Sequence, residues 1–493
     1  STPKPSSAAS DVYKRQKHIE VFMFKSKWIL FLSFSVLSLS ISSSSYEANQ
    51  VGMSYERLQK IAPTLSDLYL KNGKFPGFVS AVARKGKVVH YETIGFSDME
   101  AGESLKKDSL FRIYSMSKPI TGVALMILLE EGKVRLNDPV SLYIPEFGDT
   151  KVLIVNEDGS TELVEQNKQM TLRDLATHTS GLAYDFTAND ELAKIYREKK
   201  LSPYFSFNEV TQESLAGGTI LAGKVFKDIC SFAESLAVEA PLMHHPSENY
   251  TYSVGMDVLG CIIERASGMK FDKFLDEKIF IPLNMTDTFF SVPESKRDRF
   301  TSLYAEVKDL REFFPELDAA LPKDLTMLRV DGKQNSAYFE EATVFNGGSG
   351  LVSSTEDYLK FIQMLLNNGK LGDTRIISRK SVELMSGNHL PDAFASDAYL
   401  ETAGGYRRGA GIGLTVGVLT DPAKAGQYGS KGTFFWGGAA STIFWIDPEE
   451  ELVAVLMTQV LGSSELLRET YSCLLYTSPS PRDKRQSRMP AWA

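Results

Sequence analysis

Cysteine is scarce: the 493 residues hold only three, Cys230, Cys261 and Cys473. Their spacing forms neither a metal-binding pattern nor a disulfide framework, and Cys261, inside an apolar helical run, reads as core. His-Glu-x-x-His is absent, with every other zinc signature, so no metal and no cofactor is implied. Gly-x-Ser-x-Gly is missing too, which weakens a reading as an α/β-hydrolase. Positive charge is in deficit: 54 Lys and Arg against 62 Asp and Glu leave a net −8. With no dense basic stripe either, nucleic acid is not the expected partner. What remains, 43% hydrophobic and 24% charged residues, is an ordinary globular composition with ample core. The length suits two or three average domains, or one large enzyme domain with an inserted layer.

Both ends read differently from the middle. Residues 1–22 are polar and unpatterned, and are expected to be extraneous. From Met23, a short basic segment, the run WILFLSFSVLSLSIS and Ser-rich sequence to Ala48 make the three parts of a secretory signal, 23–48. A membrane span needs about 20 strongly apolar residues, and this run is diluted with serine. The expectation is a secreted or periplasmic protein with no stable membrane span once the signal is removed. Residues 476–493, basic and rich in Pro and Ser, are expected to be an extraneous tail.

The chemistry centres on Phe111–Glu131, FRIYSMSKPITGVALMILLEE. Pro119 is comfortable only in a helix's first turn, and Gly132 is a natural stop. The helix should therefore begin close to Ser115, placing Ser115 and Lys118 on one face. A serine hydroxyl needs a neighbouring base to become a nucleophile, and a desolvated amine can serve. The free N–H groups of a helix start also favour developing negative charge. Two other Ser-x-x-Lys matches, Ser104 with Lys107 and Ser267 with Lys270, fall in a charged loop and at a polar helix end. Context, not the pattern, singles out Ser115.

Around that helix the chain reads as follows. Residues 53–72 carry apolar positions at helical spacing, and Phe78–Arg84 with Lys87–Ile94 form a hairpin about Lys85-Gly86. Leu172–Leu182 is a short helix entering a tight turn. In it His178 is either a base or, more plainly, a histidine bonded within its own turn. Residues 185–240 suit a lid. Tyr252 precedes the helix Val254–Ala266, which Gly268 ends; an aromatic there is either packing or a catalytic phenol. A glycine turn at 346–351 leads to a helix, Ser354–Asn367. Strands are expected at Gly411–Val418, Thr433–Phe435, Ser441–Ile446 and Leu452–Thr458, with a closing helix at Ser464–Leu475. Trp436-Gly437-Gly438-Ala439-Ala440 lies just before a strand, where small residues admit a ligand to a strand edge. Strands at both ends with helices between imply one antiparallel sheet built from both chain ends.

The blocks FRIYSMSKPITG, LATHTSGL, the Tyr252 segment, NGGSGLVSSTEDYLKF and WGGAASTIFWIDP, taken in order, resemble the serine β-lactamase-like superfamily over residues 53–475. That group holds class C β-lactamases, D-alanyl-D-alanine peptidases and the family VIII carboxylesterases. The resemblance implies an α/β fold of the α+β type: an antiparallel sheet flanked by helices, with an inserted, mainly helical subdomain. It implies Ser115 as the acylated nucleophile, Lys118 as its base and Tyr252 as the phenol that relays the proton. The backbone N–H groups of Ser115 and Ala439 would form the oxyanion hole. Two departures bear on substrate. Val254 stands where lactamases have Asn, and Trp436-Gly437-Gly438 stands where they have Lys-Thr-Gly. An apolar wall with one N–H donor in place of a cation favours uncharged acyl esters, as in the family VIII carboxylesterases. A β-lactamase or D-amino-acid peptidase, an acyltransferase and a non-catalytic sensor remain the alternatives.

Overall fold

The computed structural model describes residues 45–202, 226–313, 321, 323–333, 336–390, 409–462 and 465–477. The chain divides into Ser1–Ser42 and Ser43–Ala493, and every described residue belongs to the second unit. The expected signal, apart from Ser45–Ala48 in a short helix, and nearly all of the expected tail lie outside the described residues. None of the described helices is long and apolar enough to cross a membrane.

Two strands from the start of the chain open the sheet, β1 (Gly77–Arg84) and β2 (Lys87–Asp98). They join through Lys85 and Gly86, both at positive φ, +50° and +74°, as a two-residue hairpin requires. A short β3 (Glu103–Ser104) borders β2. The remaining strands come from the far end: β4 (Ala410–Ile412), β5 (Gly417–Leu419), β6 (Phe434–Gly437), β7 (Ile443–Asp447) and β8 (Leu452–Met457). Their order is β4-β5-β6-β7-β8-β1-β2-β3, every pair antiparallel. Val79 faces Met457 where the two ends of the chain meet. The α+β architecture with an antiparallel sheet from both chain ends is therefore as expected. One strand is not: Gly411–Val418 is a hairpin rather than a single strand. Gly413 N–H bonds to the Val416 carbonyl and Thr415 takes φ +68°, so the chain reverses within it.

Between the two sets of strands run the helices that carry the chemistry. Helix α1 (Ser117–Glu130) is buried along almost its whole length, from Ser117 to Leu128. Burying each large apolar side chain there contributes about 1.5–3 kcal/mol. Helix α2 (Leu172–Ala176), α3 (Ile229–Glu239) and α1 all pack against α4 (Gly255–Ser267). Helix α5 (Thr355–Leu366) lies across β8 and β7, its Tyr358 hydroxyl donating to the Met116 carbonyl at the start of α1. The closing helix α6 spans Glu465–Tyr476.

The cysteines correct the sequence reading. Cys230 of α3 and Cys261 of α4 form a disulfide, so Cys261 is not a plain core residue. A separation of 31 residues matches no recognisable spacing; only the packing of the two helices brings the thiols together. Cys473 is free.

Candidate active site

The chain reaches Ser115 through the short strand Leu110–Arg112, which is pinned from behind. The buried Arg112 guanidinium donates to Asp331 Oδ2 (2.9 and 2.5 Å), the Thr301 carbonyl (2.7 Å) and Gln459 Oε1 (3.2 Å). Breaking one side of such a buried pair costs about 3–5 kcal/mol. Next comes Tyr114 at φ +41°, a conformation that costs a non-glycine residue about 1–3 kcal/mol. Its ring is held in a buried cluster with Leu303, Ala305, Val330 and Ala440. That kink turns Ser115 into a 3-10 turn, Tyr114–Met116, continuous with α1. The helix thus starts where the sequence places it.

Ser115, Lys118 and Tyr252 meet. The phenol oxygen of Tyr252 lies 2.7 Å from Ser115 Oγ, and Lys118 Nζ donates to the same hydroxyl at 3.1 Å. Lys118 is fully buried and also donates to Tyr184 OH (3.1 Å) and to the Gly348 carbonyl (2.8 Å). Three oxygens around Nζ match the three N–H donors of an ammonium. That ammonium also stands 4.7 Å from the Tyr252 ring centre, a cation–π distance.

Strand β6 brings the second wall. A Cβ on Gly438 would lie 2.3 Å from the Ile113 carbonyl oxygen, so only glycine lets the end of β6 pack against the backbone entering Ser115. Beyond it, Ala439 is exposed in the turn between β6 and β7. Among the described residues, the N–H groups of Ser115 and Ala439 join none of the turn or ladder hydrogen bonds around them. Trp436 and Gly437 end strand β6 itself rather than merely preceding a strand. Side chains alternate along it. Trp436 is half-buried 6.0 Å from Tyr252 between ring centres, whereas Gly437 faces Arg468 on the opposite side. Val254 is buried at the start of α4, its carbonyl accepting the Asp257 N–H (2.9 Å).

The beta-lactamase family model matches residues 61–472. This chain belongs to the beta-lactamase family. A Mycobacterium tuberculosis protein is 32% identical over 395 residues, covering 78% of this chain and 86% of its own. Esterase EstB of Burkholderia gladioli is 28% identical over 399 residues, covering 80% and 88%. Among solved structures, EstCE1, a hydrolase with promiscuous acyltransferase activity, matches with a TM-score of 0.65 at 22% identity, over 87% of this chain and 100% of that one. At that distance the likeness speaks for the shared fold.

Three features of this beta-lactamase-family site were not legible in the sequence. Tyr184 stands between the LATHTSGL block and the stretch that reads as a lid, yet its hydroxyl accepts from Lys118. Asp257, a lone acid in the apolar start of α4, accepts the Gly348 N–H at 3.0 Å. Desolvation raises its carboxyl to about 6, against the opposing effects of the Lys118 charge and the Gly348 N–H. An acid on a buried helical face was the available signal. His178, lastly, does not bond its ring within its own turn as its sequence context suggests. Ser253 N–H donates to Nδ1 at 3.2 Å, across to the Tyr252 segment. Burial, and then the charge of Lys118, hold the imidazole well below its ordinary range. Among the described residues, Nε2 has no hydrogen-bond partner, so His178 is not the base for Ser115. No group of three or more His, Cys, Asp or Glu converges as a metal site among the described residues.

Proposed function

We propose that this member of the beta-lactamase family hydrolyses uncharged carboxylic esters through an acyl-enzyme on Ser115. The observation that carries the reading is the continuous proton path from Ser115 Oγ to Tyr252 OH at 2.7 Å, beside the Lys118 ammonium. In acylation Tyr252, as the phenolate paired with the Lys118 ammonium, takes the Ser115 proton and becomes the phenol while Oγ attacks the ester carbonyl carbon. The N–H groups of Ser115 and Ala439 hold the oxyanion, a contribution of about 3–4 kcal/mol per donor. Collapse breaks the bond to the leaving alkoxide, which receives the proton back from the same pair. Water then repeats the sequence on the acyl-serine, releasing acid and free enzyme.

Trp436, where the family's lactamases carry a lysine, supports an uncharged acyl group, and so does the relative named as an esterase. Acyl transfer is the second reading. The same acyl-serine passes to a second alcohol in place of water, and EstCE1 is described with both activities. The Cys230–Cys261 disulfide supports a secreted or periplasmic location, because such bonds persist in oxidising compartments.

Purified protein assayed on p-nitrophenyl butyrate and on nitrocefin tests the reading, with peptide mapping after fluorophosphonate treatment. Ester turnover well above nitrocefin turnover and a phosphonylated Ser115 are expected. The reverse preference makes it a lactamase or peptidase. An unlabelled Ser115 and no turnover leave a sensor.

A further inference from the structure

We propose that His178 is a positioning residue for Tyr252: it grips the chain on both sides of the phenol and so sets its distance from Ser115. The Thr251 N–H donates to the His178 carbonyl at 2.8 Å, and the Ser253 N–H donates to His178 Nδ1 at 3.2 Å. The residue between them, Tyr252, has its carbonyl taken by Thr187 Oγ1 at 2.8 Å. Three consecutive residues, 251 to 253, are thereby tied, two of them to one histidine. The imidazole also packs directly on the phenol, ring centres 4.7 Å apart. It lies nearly parallel to Trp436 at 6.3 Å, which puts one ring in contact with both the proton carrier and the acyl wall.

His178 bears costs that packing alone does not explain. Its backbone is left-handed, φ +58°, a conformation uncommon for non-glycine residues, although asparagine, aspartate and histidine adopt it more readily than the rest. The N–H and the hydroxyl of Ser253 both lie 3.2 Å from Nδ1; with the N–H donating to it, the proton is assigned to Nε2, which is buried without a partner among the described residues. An unsatisfied buried donor costs about 1–3 kcal/mol. Strain of this kind persists where the surrounding structure uses it. The depressed basicity of the ring keeps Nδ1 an acceptor across the neutral range. The catalytic consequence follows from geometry: a displacement of about 1 Å costs on the order of a hundredfold in rate. The inference rests on Tyr252 carrying the proton in the mechanism above.

Two substitutions separate positioning from filling space. In His178→Asn the amide oxygen takes the place of Nδ1, and asparagine accepts the left-handed backbone. In His178→Gln the amide sits one bond farther out, where Nε2 was, and Ser253 loses its acceptor. Asn is expected to keep kcat within about threefold of the parent, whereas Gln loses about a hundredfold in kcat with little change in KM. In a Tyr252→Phe background the Gln change should cost less than about threefold, since both act through one group. Crystal structures should show the phenol at hydrogen-bond distance from Ser115 in the Asn variant and displaced in the Gln variant. Nitrogen-15 NMR of the parent should find Nδ1 unprotonated and Nε2 protonated at neutral pH, a test that needs no variant to fold. A protonated Nδ1, an undisplaced phenol in His178→Gln, or an equal loss in both backgrounds overturns the proposal. Full activity in Tyr252→Phe alone instead overturns the Ser-Lys-Tyr mechanism, and the crystallographic distance still decides the positioning.

Discussion

Asp257 and Lys118 meet through a single glycine: Gly348 gives its N–H to Asp257 Oδ1 at 3.0 Å and its carbonyl accepts from Lys118 Nζ at 2.8 Å. A side chain at 348 would lie 2.8 Å from Asp257 Oδ2 and 3.2 Å from Tyr184 OH, so the glycine turn NGGSGL is what allows carboxylate, amine and phenol to share one buried volume. The carboxylate is thus the buried counter-charge behind the amine that touches Ser115.

This relationship sets a pH dependence. The Asp257 carboxyl is raised from 3.8 to about 6 in the folded protein by desolvation. An acid raised on folding contributes stability that is full below its unfolded value and lost as pH rises through its folded one. The wild type should therefore lose about 2 kcal/mol relative to Asp257→Asn between pH 4 and pH 7. Urea denaturation of both proteins across that range measures it; a pH-independent difference contradicts the assignment. Activity should move the other way, with kcat of Asp257→Asn reduced at neutral pH.

Ser115→Ala should abolish ester turnover and leave the thermal transition nearly unchanged, because Ser115 is only partly buried. Lys118→Ala and Tyr252→Phe should each lower kcat by about 10²–10⁴. Steady-state kinetics with a melting curve for each variant decide the matter. An unaltered kcat in either removes that residue from the mechanism.

Trp436→Lys would put a cation on the wall beside Tyr252. The ratio of nitrocefin to p-nitrophenyl butyrate turnover should rise. A ratio that stays put means Trp436 does not set the preference for uncharged acyl groups.

The Cys230–Cys261 bond closes a loop of 31 residues onto the helix that follows Tyr252. Replacing both cysteines by serine should cost about 2–4 kcal/mol, read by denaturant unfolding with and without reductant. Equal stability of parent and variant under oxidising conditions would show that the crosslink does not contribute.

Much of this was written in local spacing. Pro119 and Gly132 bracket a buried helix, so Ser115 and Lys118 share a face whatever surrounds them. The Lys85-Gly86 turn and the alternation on either side of it declare the hairpin that begins the sheet. Ordered blocks were enough to name the beta-lactamase family.

The rest depends on segments far apart in the chain. Ser115 and Tyr252 are 137 residues apart and 2.7 Å from each other; the disulfide, the Asp257–Gly348–Lys118 link and the grip of His178 on residues 251–253 are likewise long-range. Periodicity registers only what each residue does to neighbours within a turn or a strand. Which distant side chains touch is decided by how α4 crosses α1, α2 and α3 and by the register of β6 against β7, and those are settled only when the whole core packs. By itself the sequence determined the helix that follows Ser115 and the family; the tertiary structure alone decided what surrounds Ser115.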